Sequence, residues 1–272
     1  MVNGSVPSPA APTHLVLIPS YNTGPRVLDT VREARRHWEP VWVVVDGSTD
    51  GTDALLRAEA GADPGLRVLS LAKNSGKGAA VLHGLREAQR LGYTHALTMD
   101  ADGQHNPARI AEFMALSAEN PRAVLLGKPV FDERVPPERL QGRKISNFWA
   151  NLETLWLGIE DSLFGFRVYP IAPLVRIMDR SLHMRHFDFD PEAAVRLVWA
   201  GCPPLCPPAE CRYFTAEEGG ISHFHYVRTN LVLGWMHVRL FFGFLPRLPW
   251  LLWRKFGHRK FSAKPAEAAR SK

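Results

Sequence analysis

The sequence predicts an α/β protein built on a mostly parallel, doubly wound sheet. Three observations carry that expectation: short β-branched runs alternate with longer helical patterns, one run is apolar throughout, and two strand ends lead into aspartates. An uninterrupted apolar run suits a strand buried on both faces. Open α/β sheets bind ligands at the carboxyl ends of their strands, which is where these acids fall.

Taken in order, His14 to Ile18 reads as the first strand, stopped by Pro19. Val27 to Trp38 follows as a helix with Val27, Leu28, Val31 and Ala34 on one face. Val41 to Val45 is the wholly apolar strand, and it ends at the turn Asp46-Gly47-Ser48-Thr49-Asp50-Gly51-Thr52. A helix over Asp53 to Ala60, a strand over Leu66 to Leu71, a helix over Gly78 to Leu91 and a strand over Thr94 to Met99 continue the alternation. Pro107 to Ser117 reads as a helix and Ala123 to Leu126 as a strand. The pattern then loosens. Phe131 to Arg143 is polar and contains Pro136-Pro137, which predicts a mobile loop. Ile145 to Leu157 reads as a helix, Asp161 to Tyr169 as a turn and strand, and Pro191 to Ala200 as a short helix.

Composition leaves one domain or two open for 272 residues, and 46% hydrophobic with 22% charged residues is ordinary for a folded enzyme. Residues 1–12 are rich in Pro, Ala and Ser and lack both a basic start and an apolar run, so they are expected to form a flexible leader. Three cysteines, Cys202, Cys206 and Cys211, are an odd number for a disulfide framework and match no zinc spacing. They read as ordinary thiols in a reducing, cytosolic setting.

The net charge of +6 is unevenly placed: Arg247, Arg254, Lys255, His258, Arg259, Lys260 and Lys264 gather near the C-terminus. Because these charges alternate with Trp, Phe and Leu, an anionic lipid surface suits them better than nucleic acid. Leu231 to Trp253 is almost continuously apolar apart from His237, Arg239, Arg247 and prolines. Those interruptions favour interfacial amphipathic helices over a full span. The competing reading is the core of a soluble domain.

Asp100 and Asp102 stand two residues apart at the end of an apolar strand, so both carboxylates project to one side. Such a pair can hold Mg²⁺ or Mn²⁺, with phosphate oxygens completing the coordination. A cation there offsets charge on a diphosphate leaving group. Acidic pairs also occur in solvated loops, so the pair alone defines only a candidate cation site.

The segments Ile18-Pro19-Ser20-Tyr21-Asn22, Asp46 to Thr52, Asn74-Ser75-Gly76-Lys77-Gly78 and Asp100-Ala101-Asp102-Gly103-Gln104-His105 sharpen it. Their order and separations resemble those of the family 2 glycosyltransferases, and most of all the polyprenyl-phosphate sugar synthases. Asp161 to Tyr169 and Gly219 to Phe224 resemble later segments of the same family, so the likeness covers about residues 14 to 225. It implies a GT-A fold over 13–225; composition makes 226–260 an amphipathic, aromatic and basic membrane-associating segment and 261–272 a disordered tail.

The resemblance also implies roles. Pro19, Tyr21 and Asn22 would line the nucleotide pocket and Asp46 would face the base or ribose. Asp102 and Gln104 would ligate the metal, with Asp100 on the metal or the donor. Lys77 lies in a glycine-flanked loop where an ammonium can reach phosphate, although Gly78 excludes a Walker motif; a solvated loop lysine is the bland reading. Two departures stand out: Val45 replaces a frequent aspartate before Asp46, and Lys128 replaces a frequent arginine. Lys128, Arg143, Lys144, Arg167 and Arg212 are candidates for an acceptor phosphate.

The implied reaction moves a sugar from a GDP- or UDP-sugar to a lipid-linked acceptor. A lipid phosphate is already anionic and needs positioning and charge stabilisation only, whereas a hydroxyl acceptor needs a base. Asp188, Asp190 and Glu192 are the candidates for that base, and Glu192 reads equally well as a first-turn helix acid. The expected location is cytoplasmic, attached peripherally to the inner face of the membrane. Two alternatives compete: a sugar nucleotidyltransferase, whose Gly-rich, Arg-containing signature is missing from Pro19 to Arg26, and a non-catalytic nucleotide-sugar-binding module on the membrane surface.

Overall fold

The computed structural model describes residues 13–131, 135, 137–212 and 226–257. The leader, the tail, the Gly219 to Phe224 segment, and His258, Arg259, Lys260 and Lys264 lie outside the described residues.

Strands β1 (His14–Ser20), β2 (Val41–Asp46), β3 (Leu66–Leu71) and β4 (His95–Thr98) alternate with helices α1 (Arg26–His37), α2 (Thr52–Ala62) and α3 (Lys77–Arg90). Helix α4 (Ile110–Glu119) then leads to β5 (Val124–Leu126) and β6 (Lys128–Phe131). Helix α5 (Pro137–Glu153) precedes β7 (Arg167–Pro170), α6 (Ile171–Asp179), α7 (Phe189–Trp199), β8 (Pro204–Leu205) and β9 (Pro208–Cys211). Helices α8 (Tyr226–Phe244) and α9 (Leu248–Leu252) complete the described chain.

Among the described residues the main sheet runs β3-β2-β1-β4-β7-β5-β8, and β6 pairs with β9 beside it. Strands β1 to β4 are parallel, and β7 enters antiparallel between β4 and β5. Side-chain alternation sends Leu15, Leu17, Trp42 and Val44 into one core and Val16, Ile18, Val41, Val43 and Val45 into the other. That double burial is why β2 reads as an unbroken apolar run.

Three local expectations need correction. Residues 131 to 143 do not form one loop: β6 ends at Phe131 and α5 begins at Pro137, a residue suited to the first turn of a helix because it has no N–H to leave unpaired. Helix α5 stops before Leu157 because Leu155 and Trp156 take left-handed φ values of 53° and 54°. In Asp161 to Tyr169 only the last three residues join a strand, and α6 follows directly.

Helix α8 is amphipathic in a literal sense. Met236, Leu240 and Phe244 are buried with Leu251 in the core, whereas Leu231, Trp235, Phe242 and Trp253 are exposed. Thr229–Phe256 is long and apolar enough to cross a membrane by length and composition, with mean hydropathy 1.2. Two of its basic residues turn inward: Arg254 donates to the carbonyls of Val198 and Gly201 and Lys255 to that of Leu155, capping the ends of neighbouring helices. Cys202 and Cys211 are buried and Cys206 is half-buried, with no disulfide among the described residues.

At the amino ends of β1 and β4, His14 and His95 stack with ring centroids 4.6 Å apart. Burial, with the His95 charge adding to it, lowers His14 from 6.5 to about 4, and burial lowers His95 too. A histidine kept neutral in the fold stabilises it above the unfolded pKa, and that contribution is lost as pH falls from 6.5 toward 4. For His14 alone the loss is about 3 kcal/mol by the lower end of that window. Urea midpoints across this range should drop, and His14→Gln should flatten the drop.

Candidate functional site

Four loops meet at the carboxyl edge of the parallel strands, and their polar side chains first of all hold one another's backbones. Asn22, at a left-handed φ of 47°, accepts from the Thr49 N–H at 2.8 Å while its own N–H donates to Ser48 Oγ at 3.0 Å. Asp50 accepts from the Gly24 N–H at 2.9 Å. The buried Asp46 carboxylate accepts from the N–H groups of Ser75 at 2.8 Å and Gly76 at 2.7 Å. Burial nevertheless raises its pKa. Gly47 takes a φ of 65° and lies so close to the next loop that a Cβ would come within 2.3 Å of the Asn74 nitrogen.

At the centre is Lys77, the first residue of α3. Its ammonium lies 2.6 Å from Asp100 Oδ1 and 2.7 Å from Asp190 Oδ2. Burial alone would favour a neutral amine, but the two carboxylates hold it charged, with a pKa above its ordinary value. Burial pushes Asp100 the other way as well, yet the Lys77 charge keeps its carboxyl below the usual range. Asp102 goes up, through burial and the repulsion of Asp100. Its Oδ1 accepts from the Gln104 N–H at 3.0 Å across the turn at Gly103. Adjacent carboxylates driven apart in pKa leave Asp102 short of positive charge, which is the electrostatic condition a bound cation relieves.

His105 was not assigned a role from sequence, and the structure gives it one. Its Nδ1 accepts from the Asp100 N–H at 3.1 Å, and its ring packs edge-on to Phe164 and Phe166. Gly165 was missed for a different reason. A Cβ there would fall 2.7 Å from Asp100 Oδ2 and 2.9 Å from Lys77 Nζ, a proximity that only folding creates.

The other candidates divide. Lys77, Asp100, Asp102 and Asp190 come together with Gln104, while Tyr21 and Asn22 lie on the flanking loop after β1; Pro19 does not stop β1 but pairs within it, and Asp46 is the last residue of β2. Arg167 and Glu192 do not present themselves as catalytic side chains. Arg167 is fully buried and its guanidinium donates to the carbonyls of Phe164 and Asp190, so it braces backbone. Glu192 is fully buried between Arg196 at 2.7 Å and Arg239 at 3.0 Å. Among the acceptor candidates, Lys128 pairs with Glu160 at 2.6 Å and Arg143 with Asp161 at 2.5 Å, which brings both cations to one turn. The Arg212 N–H donates to the Gln104 carbonyl at 2.9 Å, beside the acidic turn.

A mostly parallel sheet with an acidic cluster at its carboxyl edge is the arrangement found in glycosyltransferases of the GT-A type, and comparison with known proteins places the chain among them. The chain belongs to glycosyl transferase family 2, whose model matches residues 15–185. It is 30% identical over 228 residues to polyprenol monophosphomannose synthase of Mycolicibacterium smegmatis, covering 80% of this chain and 84% of that one. It is 28% identical over 197 residues to undecaprenyl-phosphate mannosyltransferase of Micrococcus luteus, covering 69% and 78%. The fold is similar to that of a mannosyltransferase of Pyrobaculum calidifontis solved with GDP-Man and Mn²⁺, with TM-score 0.55 and 18% identity. That match covers 83% of this chain and spans 62% of the other, less than two thirds of its length.

Gly165→Ala tests the central contact. Because the added Cβ meets the ends of two flexible side chains, the thermal midpoint should change little, while the affinity for a nucleoside diphosphate with Mn²⁺ should fall about tenfold, as loss of one charge-assisted contact would produce. Calorimetric titration reads the affinity and scanning calorimetry the midpoint.

Proposed function

We propose that the protein transfers a sugar from a GDP- or UDP-sugar to a polyprenyl phosphate or another lipid-linked acceptor at the cytoplasmic face of a membrane. The observation that carries this reading is the pair Asp100 and Asp102 at the end of β4, with the buried Lys77 ammonium bridging Asp100 and Asp190. Family membership and the lipid-phosphate relatives support it.

Among the described residues no three His, Cys, Asp or Glu side chains converge as a closed metal cage. Two carboxylates with Gln104 fit instead a hard cation that shares its coordination with phosphate and water, as Mg²⁺ and Mn²⁺ do. Bound by Asp100, Asp102 and Gln104, it would supply charge neutralisation for the departing diphosphate. Tyr21, Asn22 and the Asp46 loop would seat the nucleotide, and Lys77 would face the diphosphate. Lys128, Arg143 and Arg212 would orient the acceptor phosphate.

A phosphate acceptor suits the site better than a hydroxyl. Asp190, the acid nearest the cluster, is buried and ion-paired with Lys77, which is poor placement for a base. An anionic acceptor needs none.

A groove of about 540 Å³ between α5 and α8, lined by Ile145, Trp149, Leu233, Val238, Phe241 and Phe242, would take the acceptor's apolar chain. Helix α8 would lie on the membrane surface. The contacts of His237 with Glu153 at 3.0 Å and Arg239 with Glu192 at 3.0 Å tie it to the domain, and a spanning helix would break both.

Purified protein, Mn²⁺ or Mg²⁺, a donor panel and polyprenyl phosphate form the direct assay. Asp102→Asn should lower turnover by about two to three orders of magnitude, the scale of losing one site of charge stabilisation. Intact turnover in that variant would refute the metal assignment. Release of diphosphate when the protein is given a nucleoside triphosphate and a sugar 1-phosphate instead would favour a nucleotidyltransferase; nucleotide binding without turnover would favour a binding module. Separately, the triple substitution Trp235→Ser, Phe242→Ser, Trp253→Ser should weaken binding to anionic vesicles by at least about tenfold, from the apolar area withdrawn. Vesicle co-sedimentation reads this, and unchanged binding would rule out the exposed apolar face of α8 and the residues after α9 as the contact face.

A further inference from the structure

Helix α8 reaches the acids of the site through one side chain. Arg239 donates to Glu192 Oε2 at 3.0 Å and Oε1 at 3.5 Å, and lies 3.8 Å from Asp188 Oδ2. These acids flank Asp190 on the first turn of α7. Asp188 accepts from the N–H groups of Met184 and His186, both at 3.1 Å, while Asp190 holds Lys77 at 2.7 Å.

The turn that Asp188 holds is itself a support for the lysine loop. Met184 has a φ of 65°, a strained conformation that its surroundings must maintain. The Arg185 carbonyl accepts from the Ala79 N–H at 3.1 Å, and a Cβ on Gly76 would fall 2.2 Å from His186 Nδ1. Lys77 is thus seated from two sides of α7's first turn, through Asp190 directly and through residues 184–188.

Closely spaced carboxylates repel one another, and a buried one left without its cation is costly. We propose that Arg239 is a positioning residue for the transfer reaction, coupling the seating of α8 to Asp190 and the Lys77 loop. This rests on the glycosyl-transfer reading above. Because α8 also carries the exposed Leu231, Trp235 and Phe242, the same helix that meets an apolar surface holds the first turn of α7 in place.

The test compares full-chain Arg239→Met, Arg239→Lys and the double variant Arg239→Met with Glu192→Gln, on phosphatidylcholine–phosphatidylglycerol vesicles. Thermal midpoint, hydrogen exchange of peptides covering 76–80 and 184–190, and transfer to polyprenyl phosphate are measured together. Arg239→Met is expected to speed exchange in both segments and to lower kcat about tenfold or more, with the donor KM changed less than about threefold. Arg239→Lys should keep most of the activity, and the double variant should recover part of the protection because the Glu192 charge is removed together with its cation, leaving Asp188 to its two backbone N–H donors. Unchanged exchange in both segments overturns the proposal. A lower thermal midpoint with unchanged kcat well below it also overturns it, since that outcome marks a purely structural contact. Should the wild-type chain transfer no sugar, the proposed reaction falls and the exchange data alone decide the coupling.

Discussion

The ammonium of Lys77 joins the three parts of the chain on which the site depends: the start of α3, the end of β4 and the first turn of α7. Two carboxylates brought this close inside a protein need a compensating charge, and removing one partner of a buried ion network leaves the rest uncompensated. The approach is possible because Gly165 has no side chain where Asp100 and Lys77 meet. The same contact holds Asp100 ionised and leaves Asp102 as the group with unmet negative charge.

Around that centre, the acidic loops are organised by their own backbones. Asp46 anchors the loop of Ser75 and Gly76, Asn22 anchors that of Thr49, and Asp50 anchors Gly24. Residues that a motif marks as ligand-facing therefore have a prior task, which is to fix the loops before any ligand arrives. Preorganisation of this kind allows a site to stabilise charge without rearranging during the reaction.

The C-terminal helices belong to two environments at once. Met236, Leu240 and Phe244 extend the core beneath α5 and α7, and His237 links Glu153 to Ser146 in a buried hydrogen-bonded chain. Trp235, Phe242 and Trp253 face outward. The basic residues Arg254 and Lys255, which composition suggests for lipid headgroups, turn instead to the carbonyl ends of neighbouring helices. What α8 offers a membrane from the described residues is mainly apolar, with its polar contacts directed into the domain.

The sequence by itself determined the alternation of strands and helices through residue 126, the apolar strand β2 and the strand-end acids, because periodicity and turn chemistry are local. It also placed Lys77 and the pair Asp100 and Asp102 in two separate motifs of one family. It did not separate Asp190, which meets Lys77, from Glu192, which turns to Arg196 and Arg239, since both sit in the same helical turn and differ only in the face they occupy. Nor did it reveal Gly165 or His105 as supports of Asp100, or the inward turn of Arg167. Those assignments depend on which elements pack together, and burial and charge pairing across long sequence separations are decided only when the tertiary structure closes.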